Sequence, residues 1–191
     1  MALAPAALIP TPLVKFLAKI LPTDVHPMVV HFPIALLYST AVVDLLALWQ
    51  HGHGRDRFMD RAGFWLLTAA GVSLVVAAGA GFISEQSVHW TPATIAILTA
   101  HQHFGELTFV FALMAWVAQI FTPFSTRRRS MDHWSLFDTG RGRVSPLVAL
   151  LVVVATVLVT ITGSLGGDMV YQHCVGIPTS TCNVVVPAHR G

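Results

Sequence analysis

The stretch HPMVVHFPIALLYSTAVVDLLALW, residues 26–49, decides the fold of this 191-residue chain. After its second histidine the only charged residue of the stretch is Asp44. A bilayer core of about 30 Å is crossed by about 20 helical residues at roughly 1.5 Å each, so the stretch can span a membrane. Histidine is costly inside a membrane and binds metals well, so His26 and His31 mark a candidate functional site.

The composition of the whole chain agrees with a membrane protein. Hydrophobic residues make up 54% of the chain and charged residues 10%, whereas soluble domains carry about 25% charged residues. A formal charge of +2 is too small to indicate a nucleic-acid partner. The sequence contains no Gly-rich phosphate loop, no G-x-S-x-G motif and no C-x-x-C motif, so it does not point to a nucleotide-binding or serine-hydrolase enzyme.

Four apolar segments are each long enough to cross the bilayer. The predicted fold class is an all-α membrane protein, a four-transmembrane-helix bundle with a short N-terminal interfacial helix. The predicted divisions are an amphipathic segment at 1–25, the helical domain at 26–173 and a tail at 174–191. Within the domain the predicted spans are 29–49, 62–84, 104–121 and 144–165. Thr91 followed by Pro92 predicts a helix start, either of a short surface helix or of a lead into the third span.

Basic residues are distributed asymmetrically between the two sides of the predicted bundle. Eight of the eleven Lys and Arg residues lie in the loops after the first and third spans. The positive-inside rule places these loops in the cytoplasm, and both termini then lie outside a bacterial inner membrane.

This topology sorts the ten histidines. Seven of them fall on the predicted outer side: His26, His31, His89, His101, His103, His173 and His189. They come from separate span ends at one depth, which predicts a single site near the outer face.

Haem ligation by two histidines requires imidazoles from different helices, and small residues where the macrocycle meets backbone. His31 and His101 are the predicted axial ligands of one haem b, with His103, His26 and His173 as alternates. Gly81, Gly163 and Gly167 are the predicted small residues of the site. A second haem would need another histidine layer about 13–14 residues further along a helix, or about 20 Å at 1.5 Å per residue. Those positions hold Asp44, Leu45, Met114 and Ala115, so the pattern supports one haem only.

Two other interpretations stay open at this point. His103 with Glu106, and Asp168 with His173, offer mixed ligands suited to a non-haem copper, iron or zinc ion. The chain could instead be a structural or pigment-holding subunit of a larger membrane complex. Glu106 is also a candidate hydrogen-bond partner for a ligand histidine. Asp44 is expected to pair with Arg61 or a loop arginine.

The C-terminal tail contains both cysteines of the chain, Cys174 and Cys182. An extracytoplasmic location permits a disulfide between them. Two free thiols, or thiols that bind a metal, are the alternatives.

Several motifs resemble the DUF2231 family of predicted bacterial membrane proteins. They are His26-Pro27, the run VHFPIALL at 30–37, His101-x-x-x-Gly105 and Gly163-x-x-Gly166-Gly167. The resemblance covers about residues 26–176 and implies motif histidines at His26, His31 and His101, with Gly105 beside the last. His103 stands where an aromatic residue is expected, and Ser164 where some relatives carry histidine. Related domains fused to cytochrome c-like modules imply redox work at the outer membrane face.

The sequence therefore predicts a membrane-integral b-type cytochrome that binds one haem near its extracytoplasmic face. It is expected to exchange electrons with a quinone or a c-type cytochrome, as a redox subunit more than a stand-alone enzyme. Lipid surrounds the bundle in this interpretation, and a larger complex or a homo-oligomer is a further expected partner. No nucleic acid is expected.

Overall fold

The computed structural model describes residues 25–51, 58–85, 90–121 and 143–176, together with positions 12, 16 and 88. Within these ranges the regular structure is entirely helical, and four helices are long and apolar enough to cross a membrane. The predicted four-helix membrane bundle is thereby confirmed. Most of the N-terminal segment and the tail beyond residue 176 lie outside the described residues. The helices are α1 Val25–Val29, α2 His31–His51, α3 Phe58–Glu85, α4 Pro92–Phe121 and α5 Pro146–Tyr171.

Local capping signals fix where the later helices begin. Ser145 caps α5, because its side chain accepts a hydrogen bond from the Val148 N–H, and Pro146 follows it at the first helical position. The Thr94 N–H donates in the same way to the Thr91 hydroxyl before α4 (3.3 Å). The segment after Thr91 is thus the first part of α4, which begins at Pro92 instead of the predicted 104.

The four long helices form a ring in which each contacts its two neighbours. α2 packs against α3 and α5, and α4 packs against α3 and α5. Over the described residues, the diagonal helices α3 and α5 do not approach each other closely, nor do α2 and α4. We call the end where α2 and α4 begin the histidine end, and the opposite end, where α3 and α5 begin, the arginine end.

Small side chains fill the interior of the bundle. The buried apolar residues include Ala41, Ala47, Ala70, Ala112, Ala115 and Ala155. Large apolar side chains such as Leu113, Leu150 and Val157 point outward instead. Small interior residues let membrane helices approach closely, and the apolar exterior suits a lipid bilayer.

Hydrogen bonds between helices supplement this packing. The Trp116 indole N–H donates to the Thr68 hydroxyl (2.9 Å), which joins α4 to α3. The Thr156 hydroxyl, which bonds within its own helix, also approaches the Leu37 carbonyl of α2 (3.3 Å). These bonds fix the rotation of each helix, and so determine which side chains face the interior at the two ends.

Candidate functional site

His26 is held against α3 at the histidine end. Its Nδ1 lies 3.0 Å from the Ala77 carbonyl oxygen. A carbonyl oxygen can only accept, so Nδ1 carries the hydrogen and donates it. A Cβ atom at Gly81 would lie 3.0 Å from both Cε1 and Nδ1 of this ring. The ring therefore occupies space that a side chain at position 81 would need.

His101 is held against α5 by the same local arrangement. Its Nδ1 donates to the Thr162 carbonyl oxygen at 2.9 Å. A Cβ atom at Gly166 would lie 3.3 Å from His101 Cε1. In both cases the ring lies on a helix carbonyl and on the glycine four residues further along. The absence of a side chain at that glycine opens the carbonyl of the preceding turn to the imidazole.

The two imidazoles meet inside the histidine end, and we call His26 and His101 the histidine pair. Their ring centroids are 6.0 Å apart and their planes are nearly perpendicular, at 83°. Both rings are partly buried. His26 of α1 packs against α3, and His101 of α4 packs against α5, so the pair lies between these two diagonal helices.

The hydrogen bonds also define the state of the second ring nitrogen. With Nδ1 protonated, the neutral imidazole has a lone pair on Nε2. Among the described residues, neither Nε2 atom has a hydrogen-bond partner. The histidine pair thus offers two lone pairs at one place, which is the donor chemistry that transition metals and haem iron bind.

The other predicted histidine ligands lie elsewhere on the surface. His31 is exposed, and its Nδ1 donates to the Pro27 carbonyl oxygen of the preceding turn (2.7 Å). His103 and Glu106 are each 55% exposed and 3.8 Å apart, as a pair on the outside of α4. His173 is exposed beside the Asp168 carbonyl oxygen (3.3 Å). The structure therefore brings His101 together with His26, an alternate ligand in the sequence interpretation, and not with His31.

The predicted glycines have different surroundings. A Cβ at Gly105 would meet Thr162 Cγ2 at 3.8 Å, and one at Gly163 would meet Ile34 Cδ1 at 3.6 Å. These two glycines thus serve contacts between helices. Gly167 faces only Tyr171 of its own helix (3.9 Å). Gly166 approaches His101 instead. In the sequence, Gly166 is marked only as part of the Gly163-x-x-Gly166-Gly167 motif.

The part of the chain that the structure describes contains no group of three or more His, Cys, Asp or Glu side chains that could hold a metal ion. The mixed His and carboxylate sites considered from the sequence are therefore not assembled within these ranges. Cys174 is disulfide-bonded. Its predicted partner Cys182 lies outside the described residues, as do His89 and His189.

Gly81→Ala is expected to disturb the histidine pair, because the added methyl group would press on the His26 ring at 3.0 Å. The ring must then move away from the Ala77 carbonyl, which weakens that hydrogen bond. The measurement is the ¹⁵N NMR signal of His26 Nδ1 in the full chain, which should lose the signature of a bonded, protonated nitrogen. Gly79→Ala is the matched control, since a Cβ there meets nothing within 4 Å. An unchanged His26 signal in Gly81→Ala would contradict the packing described.

Comparison with known proteins gives a family but no characterised relative. No curated protein and no solved structure matches the chain. The family model described as a predicted membrane protein, DUF2231, matches residues 22–179. This match includes all of α1 to α5 and both members of the histidine pair. The chain belongs to the DUF2231 family of predicted membrane proteins.

Proposed function

We propose that this chain is a haem-binding electron-transfer protein of the membrane, with His26 and His101 as the two axial ligands. The observation that carries the proposal is the histidine pair itself. Two imidazoles from different helices meet in the bundle interior, each oriented by a hydrogen bond from Nδ1 to a backbone carbonyl. A metal-ligating histidine usually makes such a hydrogen bond through its other ring nitrogen, because the bond fixes the tautomer and makes Nε2 more basic.

The spacing of the rings supports an ion between them. Metal–imidazole bonds of about 2.0 Å, with each ring centre roughly 1 Å further out, separate two opposed ring centres by about 6 Å. The rings of His26 and His101 are 6.0 Å apart. The separation of the ring centres is therefore compatible with two axial imidazoles.

The number of donors favours haem over a bare metal ion. Structural zinc sites use four protein ligands and catalytic ones use three. Within the described ranges the two histidines have no third His, Cys, Asp or Glu beside them. Haem requires only two axial ligands from the protein, since the porphyrin supplies the other four. The haem would be b-type, because the sequence lacks the C-x-x-C-H motif of covalent attachment.

Bound haem supplies one-electron redox chemistry. The chain contributes the ligands, their orientation and an apolar surrounding that restricts water. Because the pair lies at the histidine end, the expected exchange partner is a quinone or a c-type cytochrome at that face. The arginine distribution supports an extracytoplasmic position for this face.

The test is the absorption spectrum of the full chain, purified in detergent after expression with haem supplied. We expect a Soret band and, in the reduced-minus-oxidised difference, the sharp α band of a low-spin haem with two histidine ligands. A pyridine haemochrome assay should give one haem per chain. A colourless protein under these conditions would overturn the proposal. Copper, iron or zinc found by elemental analysis of that protein would assign the pair to a non-haem metal.

A further inference from the structure

Asp44 occupies an unusual environment at the arginine end, far along α2 from the histidine pair. Its side chain is fully buried, with an exposed fraction of 0%. Neither carboxyl oxygen has a hydrogen-bond partner. The expected pairing with Arg61 is not present, because Arg61 is exposed on α3 and makes no ion pair with Asp44. The α3 residues that face Asp44 are instead the neighbours of Arg61 on the interior side. The loop arginines at 52–57 and 122–142, the other expected partners, lie outside the described residues.

The carboxyl group points into a notch on α3 that Gly63 leaves open. A Cβ atom at Gly63 would overlap Asp44 Oδ1. Asp60 lies one turn earlier on the same face of α3 and is 3% exposed. Its Oδ1 accepts a hydrogen bond from the Val144 N–H before α5 (2.8 Å). The Gln119 side chain of α4 approaches the Asp60 carbonyl oxygen (3.4 Å). Residues of α3 and α4 and of the segment just before α5 thus contribute to the surroundings of Asp44 or to those of its acidic neighbour.

Among the described residues, no cation is paired with Asp44. The charged groups near it are Asp60 and the exposed Arg61 on α3, and Arg143 just before α5, and neither arginine forms an ion pair with Asp44. Gln119 of α4 is neutral. Burying a carboxylate without hydrogen bonds or a counter-charge costs roughly several kcal/mol of free energy. A second carboxylate beside it raises that cost through repulsion. Protonation removes the charge, and with it the cost of burying an anion and the repulsion from a neighbouring carboxylate.

We infer that Asp44 is a proton-binding site, a carboxyl group that holds a proton inside the bundle near the arginine end. Proton uptake forms an O–H bond on the Asp44 carboxylate from a hydrated proton and leaves a water molecule. Asp60 lies two residues after the start of α3, nearer the arginine end than Gly63. It is the acidic neighbour of Asp44, one turn before Gly63 on the same face of α3. Neither the family description nor the haem proposal assigns this site.

A metal cation is a poorer occupant of the same place. Hard cations take six or more oxygen ligands. Asp60 Oδ1 is already engaged by the Val144 N–H, and Asp44 Oδ1 lies directly against the Gly63 backbone. A proton needs only one oxygen, so the environment favours a proton.

The test is infrared spectroscopy of the full chain in a detergent without ester groups, in H₂O and in D₂O. At neutral pH the wild-type protein should show the C=O stretch of a protonated carboxyl group, shifted in D₂O. Asp44→Asn should lose the band, while Asp168→Asn, at the histidine end, should keep it. The experiment does not depend on haem, so its outcome is separate from that of the spectrum above.

Three results would overturn the inference. The first is a wild-type protein with no such band, which needs no variant to interpret. The second is a band that persists in a folded Asp44→Asn protein. The third is a band that disappears when sodium is added at constant pH, which would assign the site to a cation. Should Asp44→Asn fail to fold, Asp44→Ser supplies the same comparison with a smaller side chain in the Gly63 notch.

Discussion

Replacing His101 by alanine is expected to abolish haem binding, and His26→Ala is expected to do the same. Each substitution removes one of the two Nε2 lone pairs of the histidine pair. Loss of an outer partner of a metal ligand already costs about 10–100-fold in affinity. Loss of the ligand itself should cost at least as much, so the Soret absorbance per chain should fall about tenfold or more. The measurement is the haem-to-protein ratio of variants purified in parallel.

His31→Ala and His103→Ala are the matched controls for this experiment. Both histidines lie near the same end of the bundle, but both are exposed and neither contacts the pair. They should retain haem at the wild-type ratio. Loss of haem in His31→Ala with retention in His26→Ala would restore the axial pair first expected from the sequence. If all four variants retained haem equally, none of the four histidines would be a haem ligand.

The choice between His26 and His31 shows what the sequence could not provide. Five residues at about 100° each separate the two side chains by roughly 140° around a helix, so only one can face the bundle interior. The helix is also interrupted at Val30, between α1 and α2. The rotation of α1 is set by the contact of His26 with Ala77 and Gly81, which lie about fifty residues away. The sequence therefore favours His31 and keeps His26 as an alternate, because the position of α3 relative to α1 cannot be seen in it.

The presence of the four membrane helices was predictable for a simpler reason. Apolar composition over about 20 residues is enough to indicate a span, whatever the neighbouring helices do. The ends were harder to predict. Gln102 and His103 break the apolar run of α4, so the sequence places the start of that span at 104, directly after them. In the structure these residues are exposed side chains on a helix that already began at Pro92.

The glycines also show that a sequence does not reveal which group packs against a small residue. A small residue on a membrane helix is compatible with a helix contact, a cofactor or a side chain from elsewhere. The sequence placed Gly81 at a haem surface, whereas the structure places the His26 ring on it. Gly63 attracted no attention in the sequence, because nothing there shows that the Asp44 carboxyl points at it.

Gly63→Ala is therefore expected to destabilise the bundle by about 1–3 kcal/mol, the usual cost of overpacking a filled interior. The new methyl group would overlap Asp44 Oδ1, and the fully buried carboxyl group has no open space into which it can turn. The measurement is unfolding by SDS in mixed micelles. Gly71→Ala on the same helix is the control, since a Cβ there meets nothing within 4 Å. Gly71→Ala gains the same helix propensity as Gly63→Ala, but its methyl group overlaps no other atom.

A second substitution identifies the group responsible for the loss of stability in Gly63→Ala. Asp44→Ala removes the oxygen that the Gly63→Ala methyl group would strike, so the double variant should recover most of the lost stability. Asp44→Asn keeps the shape of the side chain and should recover little. The double-mutant cycle with alanine should give a coupling of about 0.5–3 kcal/mol, as expected for residues in contact. Additive effects would place the Asp44 carboxyl away from Gly63 and remove the enclosed setting on which its proton-binding role depends.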